Sequence, residues 1–201
     1  MKNLILFVSL FFLLSFSAFA QSTVRVGSSG GGDLAYEEGD KIFQAGISFG
    51  TYGYGYNYFY DRGFALPLNA SLELGLHENF SVGPYVAFAR WGFNDIDNYN
   101  FSVFGAGARG SFHYLPLVDE ALDLGLDLNK LDFYVTAFLG IESRQWSYPS
   151  NFTRDRRSGQ TFLRLNAILG FRYKFDDKFG VYFEGGRGAI GYSTLGVSVH
   201  F

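Results

Sequence analysis

From position 41 to the C-terminus, apolar and polar residues alternate along most of the chain. In the segment 131–142, Leu, Phe, Val, Ala, Leu and Ile occupy the odd positions, while the even positions include Asp132, Thr136 and Glu142. Such alternation is typical of a β-strand that has one apolar and one polar face. The pattern therefore predicts an all-β chain of eight strands. The alternating segments lie within 43–50, 68–76, 80–89, 104–113, 131–142, 163–174, 181–184 and 194–201.

The connections between these segments alternate in length. Residues 76–80 and 175–179 predict tight turns, whereas the connections 51–67, 91–100 and 143–160 are long and polar. This alternation is expected of an antiparallel up-and-down barrel, which has short turns at one end and long loops at the other.

Two connections fit this scheme less well. The segment 115–130 is long for a turn and carries four acids, so it either extends a strand or forms a short helix. The last loop, 187–190, is unusually short.

Full charges on the polar faces distinguish between two kinds of all-β fold. They would make a poor core for a soluble β-sandwich, which also has alternating strands. They suit the polar interior of a barrel whose apolar outer face meets lipid. Most segments are also about as long as a tilted strand that crosses a bilayer. We therefore predict an all-β, eight-stranded, antiparallel up-and-down transmembrane β-barrel.

The charges on the predicted inner face include both signs, so that acids and bases can pair. Because a barrel of about eight strands is just wide enough to be filled by side chains, we expect a filled lumen. A ring of charge that selects ions is the alternative. One hairpin register would place Glu142 opposite Arg164 and Asp132 opposite Lys174. The expected lumen charge network consists of Glu73, Arg109, Asp132, Glu142, Arg164, Arg172, Lys174 and Glu184.

The N-terminal 20 residues have a different pattern. Lys2 precedes an unbroken apolar run that ends in Ala18-Phe19-Ala20. This order of charge, apolar stretch and small-residue site is typical of a cleavable signal peptide, and an uncleaved helical anchor is the alternative. The polar, glycine-rich residues that follow predict a flexible periplasmic leader. The predicted organisation is a signal peptide at 1–20, a leader at 21–40 and a barrel at 41–201.

Composition agrees with a membrane barrel. Aromatic residues make up 20% of the chain, which also has 26 glycines and no cysteine. Membrane barrels use aromatic residues in two interfacial girdles and glycine where strands curve tightly. The sequence after position 20 has no apolar run of the length that a transmembrane helix needs, so we expect strands to cross the membrane. A net charge of −3 argues against a nucleic-acid partner.

Several segments resemble the small outer-membrane β-barrel proteins of the OmpX and OmpW type, and in particular the "porin family" barrels of Bacteroidota. The resemblance covers 39–201 and rests on GDK at 39–41, SVG at 81–83, GAGARG at 105–110 and LGVSVHF at 195–201. It implies a place in the outer membrane of a Gram-negative cell envelope, in contact with outer-membrane lipid and lipopolysaccharide. It does not imply a particular solute.

The end of the sequence matches the assembly signal of the same family. The matching residues are Thr194, Gly196, Val199 and Phe201. The match implies that the barrel-assembly machinery recognises the chain during biogenesis.

No motif in the sequence indicates an enzyme, a cofactor or a metal site. The GAGARG run fits the dinucleotide fingerprint G-x-G-x-x-G, but it lies inside an alternating strand and does not open a helix. The three histidines, His77, His113 and His200, all fall at the predicted periplasmic end. No histidine is left to act as a base at the exterior rim.

Two predicted exterior loops carry candidate binding residues. Four arginines of the third loop either contact lipopolysaccharide phosphates or are simply solvated: Arg144, Arg154, Arg156 and Arg157. Alternating tyrosines of the first loop form either an interfacial aromatic belt or a surface for a glycan or protein: Tyr52, Tyr54, Tyr56, Tyr58 and Tyr60.

The sequence leaves three functions open. The leading one is a structural or envelope-interaction barrel with a plugged lumen. The alternatives are a narrow, porin-like channel for small solutes and an adhesin that binds an unknown surface ligand through its exterior loops.

Overall fold

The computed structural model describes residues 34–51, 63–93, 99–123, 125–126, 128–147 and 159–201. The predicted signal peptide and residues 21–33 of the leader lie outside these ranges. The following loop residues also lie outside them: Tyr52, Tyr54, Tyr56, Tyr58, Tyr60, Arg154, Arg156 and Arg157.

The described residues form eight strands and one short helix. Each strand is antiparallel to its neighbours in sequence, and β8 also pairs with β1, so that the sheet closes. The predicted eight-stranded, antiparallel up-and-down β-barrel is thereby confirmed. The elements are β1 Lys41–Thr51, β2 Gly63–His77, β3 Phe80–Phe93, β4 Tyr99–His113, α1 Leu115–Leu122, β5 Leu131–Ser147, β6 Gly159–Lys174, β7 Phe179–Gly186 and β8 Gly191–His200.

The two ends of the barrel differ in their connections. One end, called the turn end below, carries the short connections after β2 and β6 and the longer segment 114–130 that contains α1. The opposite end, called the loop end, carries the connections 52–62, 94–98, 148–158 and 187–190. All three histidines lie toward the turn end, at or next to the ends of β2, β4 and β8.

Some strands extend further toward the loop end than their alternation predicts. Strands β3 and β5 continue to Phe93 and Ser147, inside segments that were expected to be loops. Backbone pairing continues there although the outward side chains have become polar, as at Ser143 and Gln145. The apolar half of the alternation is lost in these stretches, and hydrophobic periodicity therefore gives no sign of the strand.

In the barrel wall, apolar side chains are exposed and charged side chains are buried, which is the reverse of the arrangement in soluble proteins. On the outer face, Leu163 and Leu165 are 75% and 77% exposed, whereas Glu73 and Arg172 on the lumen face are 0% exposed. Charged residues are almost never fully buried unless they are paired. The lumen must therefore supply partners for its charges.

The register of β5 and β6 differs from the predicted one by two residues. Arg172, and not Lys174, lies opposite Asp132, and Gly140, and not Glu142, lies opposite Arg164. A shift of two residues keeps every side chain on its predicted face, because the side-chain period of a strand is two. Alternation is therefore unable to distinguish the two registers.

Residues 34–40 form a strap across the turn end. Tyr36 is buried there, its hydroxyl donates to the carbonyl of Phe80 at 2.6 Å, and its ring stacks on His113 with a centroid distance of 3.6 Å. The backbone N–H of Ala35 donates to the carbonyl of Leu128 at 2.6 Å. This part of the leader is packed and hydrogen-bonded, in contrast to the flexible segment that its polar, glycine-rich composition suggested.

The long connection between β4 and β5 contains a helix and does not extend a strand. Helix α1 begins at Leu115, with Pro116 in the first turn, where a missing N–H costs nothing. It ends at Leu122, and the following Asp123 has a left-handed backbone with φ of 49°. No helix among the described residues is long and apolar enough to cross a membrane.

Candidate functional site

The lumen contains a buried ion cluster centred on Arg109 of β4. Its Nε lies 3.1 Å from Oε1 of Glu73 on β2, and its Nη2 lies 2.8 Å from Oε1 of Glu184 on β7. All three side chains are buried. Because β7 is not adjacent to β4, the pair with Glu184 spans the lumen. One guanidinium thus compensates two carboxylates where water does not reach them.

His113 connects this cluster to a second ion pair nearer the turn end. Its Nδ1 lies 2.9 Å from Oδ1 of Asp132, whose Oδ2 accepts a hydrogen bond from Nη1 of Arg172 at 2.6 Å. On its other side, Nε2 of His113 lies 3.0 Å from Oγ of Ser81, and that hydroxyl donates to Oε2 of Glu73 at 2.6 Å. A continuous hydrogen-bonded chain therefore runs from Arg172 to the carboxylate that Arg109 binds.

Three members of this chain have the connectivity of a Ser-His-Asp catalytic triad, namely Ser81, His113 and Asp132. Their surroundings do not suit catalysis. All three are at most 3% exposed, the Tyr36 ring covers His113, and the Ser81 hydroxyl is hydrogen-bonded to Glu73. A nucleophile must reach a substrate atom, and this hydroxyl is enclosed. The arrangement fits a structural hydrogen-bond network.

A third charged group lies closer to the loop end. Glu142 Oε1 lies 2.6 Å from Nε of Arg144 and 3.2 Å from Nη2 of Arg164. Both guanidinium groups stand over the ring of Phe162, at 4.6 and 5.3 Å from its centroid. Glu142 and Arg164 are thus close, although they meet diagonally and not as a directly opposed pair. Arg144, which sequence analysis placed in an exterior loop, belongs to β5.

An apolar plug fills part of the lumen nearer the loop end. The connection between β7 and β8 folds toward it, and its Gly188 carbonyl accepts a hydrogen bond from Nδ2 of Asn166 at 2.9 Å. This brings the buried Ile190 against inward-facing aromatic residues of β3 and β4. No alternation or motif in the sequence predicts this plug. Its buried members are Ala87, Ala89, Trp91, Phe101, Val103 and Ile190, with Trp146 and Ala189 packed against them.

Lys174 differs from the other members of the predicted network in its contacts. It is half-buried, and the ion pairs formed among the described residues do not include it. Its predicted partner, Asp132, binds Arg172 and His113 instead. The two-residue difference in register explains this, because it moves Lys174 beyond the end of β5.

The four residues of the predicted assembly signal lie in different environments. Thr194 is buried in the lumen, with its hydroxyl 3.0 Å from Oγ of Ser48, and Gly196 also faces inward. Val199 faces outward, and Phe201 is 67% exposed beyond the end of β8. Recognition of these residues by an assembly machinery stays a prediction.

Solved structures of small outer-membrane barrels are similar to this chain. The Ail protein of Yersinia pestis in a phospholipid nanodisc has 18% identity and a TM-score of 0.47, over 82% of this chain and 100% of that one. Its crystal structure has 12% identity and a TM-score of 0.44, over 81% and 95% of the two chains. The N-terminal β-barrel domain of Pseudomonas aeruginosa OprF has 18% identity and a TM-score of 0.40, over 82% and 98%.

No protein-family model matches the chain, and no curated protein matches it. The fold of the chain rests on its own strand pairing, which closes from β8 back to β1.

Proposed function

We propose that this chain is an integral outer-membrane protein with a filled lumen, and that it serves the cell envelope as a structural or interaction protein and not as an enzyme. The main observation in support of the proposal is the distribution of side chains between the two faces of the barrel wall. Buried, paired charges lie inside the barrel, and exposed apolar side chains lie outside it.

The outer face supports insertion into lipid. Exposed apolar side chains follow one another on β5, at Val135, Leu139 and Ile141, and outward polar residues begin at Ser143. Soluble monomers rarely expose apolar patches larger than a few hundred Å². A barrel with an apolar band between polar rims matches the cross-section of a membrane.

The connections support the orientation of the barrel. Outer-membrane barrels have short periplasmic turns and longer exterior loops, so the turn end would lie at the periplasmic interface, where membrane proteins also concentrate aromatic side chains. The predicted signal peptide would supply the export. Outer-membrane lipid and lipopolysaccharide would surround the barrel, in keeping with the small OmpX- and OmpW-type barrels that the sequence resembles. The exposed aromatic residues near the turn end include Phe43, Phe80, Phe112, Phe175, Phe179 and Phe201.

The contents of the lumen argue against a wide aqueous path. The Arg109 cluster joins side chains from β2, β4 and β7 across the interior. The apolar plug lies between this cluster and the loop end and contains Trp91 and Phe101, whose ring centroids are 5.6 Å apart. A solute would have to displace both layers, and the charged layer is costly to disrupt because its groups are desolvated.

Conductance in a planar bilayer tests the proposal. We expect the refolded protein to migrate in a heat-modifiable way on gels and to give no conductance steps. The triple variant Trp91→Ala/Phe101→Ala/Arg109→Ala, which removes side chains from both layers, should produce steps. The variant Phe104→Ala, which removes an aromatic side chain from the outer face of β4, should give no conductance steps.

Two results would contradict the proposal in different ways. Steady conductance of the parent protein would show that the lumen is open. A parent that stays monomeric and folded in buffer without detergent or lipid would show that the outer face does not need a membrane.

A further inference from the structure

A niche in the lumen wall near the turn end is lined by hydrogen-bond donors. It is formed by inward-facing residues of three consecutive strands: Arg172 and Lys174 of β6, Gly180 of β7, and Ser198 and His200 of β8. We call these five residues the donor niche. Arg172 and Ser198 are fully buried, and His200 is almost so.

Gly180 forms the floor of the donor niche. It lies directly opposite Lys174 on one side and Ser198 on the other. A Cβ atom at position 180 would lie 2.8 Å from Oγ of Ser198 and 3.3 Å from Cα of Lys174. A Cβ atom would also lie 2.7 Å from the carbonyl oxygen of Tyr173, so only glycine fits beside the Ser198 hydroxyl.

Five polar atoms of the niche have no hydrogen-bond partner among the described residues. They are Nε and Nη2 of Arg172, Oγ of Ser198, and both ring nitrogens of His200. Leaving a buried polar group unpaired costs about 1–3 kcal/mol, and more when the group is charged. So many unpaired atoms in one place indicate that something other than protein satisfies them.

The geometry of Arg172 indicates what kind of group this is. Its Nη1 binds Asp132 at 2.6 Å, and its guanidinium stands over the Tyr134 ring at 4.9 Å from the centroid. These contacts fix the guanidinium and leave its other edge, formed by Nε and Nη2, without an acceptor. That edge carries two parallel N–H groups, a fork that matches two oxygen atoms of one oxyanion.

The charges around the niche favour an anion. The carboxylate of Asp132 is engaged by His113 and Arg172, and that of Glu73 is engaged by Arg109 and Ser81. Lys174 lies in the same row of inward-facing residues as Gly180 and Ser198, so its ammonium adds a second positive charge to this part of the lumen wall. Lys174 is only half-buried and lies next to the exposed turn after β6, which offers a route from solvent.

We propose that the donor niche binds a small oxyanion, held by the Nε–Nη2 edge of Arg172, the ammonium of Lys174 and the hydroxyl of Ser198. The proposal goes beyond the function proposed above and does not depend on it. Ordered water in the niche is the competing occupant, since buried waters commonly satisfy groups of this kind.

Inorganic phosphate is the probe. The full chain, refolded in a non-ionic detergent, is unfolded with urea at increasing phosphate concentration, while sodium chloride holds the ionic strength constant. An anion that binds only the folded state raises the unfolding midpoint by an amount that yields its dissociation constant. For the parent protein we expect a rise above that seen in chloride, following a single-site curve.

Two double variants distinguish binding in the donor niche from a general effect of salt on stability. Lys174→Gln/Ser198→Ala removes one charge and one hydroxyl from the niche and should weaken phosphate binding at least about tenfold. Lys178→Gln/Ser193→Ala removes the same groups from an exposed turn and from the outward series of β8, and it should bind like the parent. If the double niche variant does not refold, Ser198→Ala alone, which removes a single oxygen atom, takes its place.

The outcomes are distinct. An equal rise in the parent and both variants would mean that phosphate acts only by exclusion from the surface, and the proposal would be overturned. An unchanged unfolding midpoint in the parent would mean that water fills the niche, and it would also overturn the proposal. Because heat-modifiable migration reports the folded barrel separately, neither result would bear on the proposed membrane function.

Discussion

Arg109 is the residue on which the charge balance of the inner lumen depends. Replacing it with Met leaves Glu73 and Glu184 buried without the cation that binds both of them. We expect the free energy of unfolding to fall by about 3–5 kcal/mol, measured by urea titration in detergent. Arg90→Met removes the same charge from an exposed position on β3 and should cost much less. Similar losses for both variants would mean that the lumen pairs contribute little.

Tyr36 makes the strap sensitive to high pH. Burial raises the pKa of its phenol above the ordinary value, and the nearby Glu73 and Asp40 act in the same direction. Folding therefore favours the protonated phenol. Its contribution to stability is complete below the unfolded pKa of about 10 and is lost as the pH rises above it.

The variant Tyr36→Phe tests this dependence. At neutral pH it should lose about 1–2 kcal/mol, because the Phe80 carbonyl loses its donor. Above pH 10 the urea midpoint of the parent should fall more steeply than that of the variant, since only the parent has this phenol to ionise. Parallel curves for the two proteins would argue against a titrating Tyr36.

At the scale of strands, hydrophobic periodicity determined which face each residue occupies but not which residue it meets. The β5–β6 hairpin shows why. The charges suggested one register, and the observed register is two residues away, with every face unchanged. Register depends on the backbone of the connecting hairpin, and alternation carries no information about it. The same limit applied where strands continued beyond the apolar band, as β3 does to Phe93.

Cysteine cross-linking can test the register directly, because the chain has no cysteine of its own. In the observed register Leu139 lies opposite Leu165, whereas the charge-based register would place it opposite Ala167. Directly opposed Cβ atoms are about 4.5–5.5 Å apart, and diagonal ones about 7–8 Å. Oxidation should therefore cross-link Leu139→Cys/Leu165→Cys faster than Leu139→Cys/Ala167→Cys. The reverse order would restore the charge-based register.

The outer face of β5 should tolerate charge poorly. Leu139 lies between Ala108 of β4 and Leu165 of β6 and is exposed on that face. If it sits near the middle of the bilayer, Leu139→Arg should cost about 2–4 kcal/mol in lipid vesicles. Leu117→Arg, at an exposed leucine of α1 outside the strands, is the matched control and should cost little. An unchanged midpoint for Leu139→Arg would place that position outside the lipid.

At the scale of the whole molecule, closure brings together residues that no local pattern relates. Arg109 and Glu184 are 75 positions apart and meet across the lumen. Alternation predicts that both of them face inward, but the partner of each depends on how the strands are staggered around the ring. The plug was missed for a related reason. Its core joins Trp91 and Phe101 to Ile190 of a connection that folds inward, and no periodicity marks such a loop.

Gly196 is required for closure in the region where β1 meets β8. It lies directly opposite Gly46, and a Cβ atom on it would meet the carbonyl of Ala45 and the ring of Tyr182. We expect Gly196→Val to lose about 3 kcal/mol or more and to reduce the heat-modifiable, folded fraction. Gly185→Val, on the outer face of β7, would meet its nearest neighbour at an ordinary 3.6 Å and should fold. Normal folding of both variants would mean that the seam, the junction between β1 and β8, can widen.

The pairing of β1 with β8 is expected to be a late step of folding. It joins residues far apart along the chain, such as Ile42 and His200. No local hairpin can form this seam, and contacts of such long range are slow to form. Until they form, a partial sheet presents two edges that can pair with other chains. The interval before the ring closes is therefore the period of greatest risk of aggregation. A carrier that shields strand edges would be needed during that interval and could be released once the seam has formed.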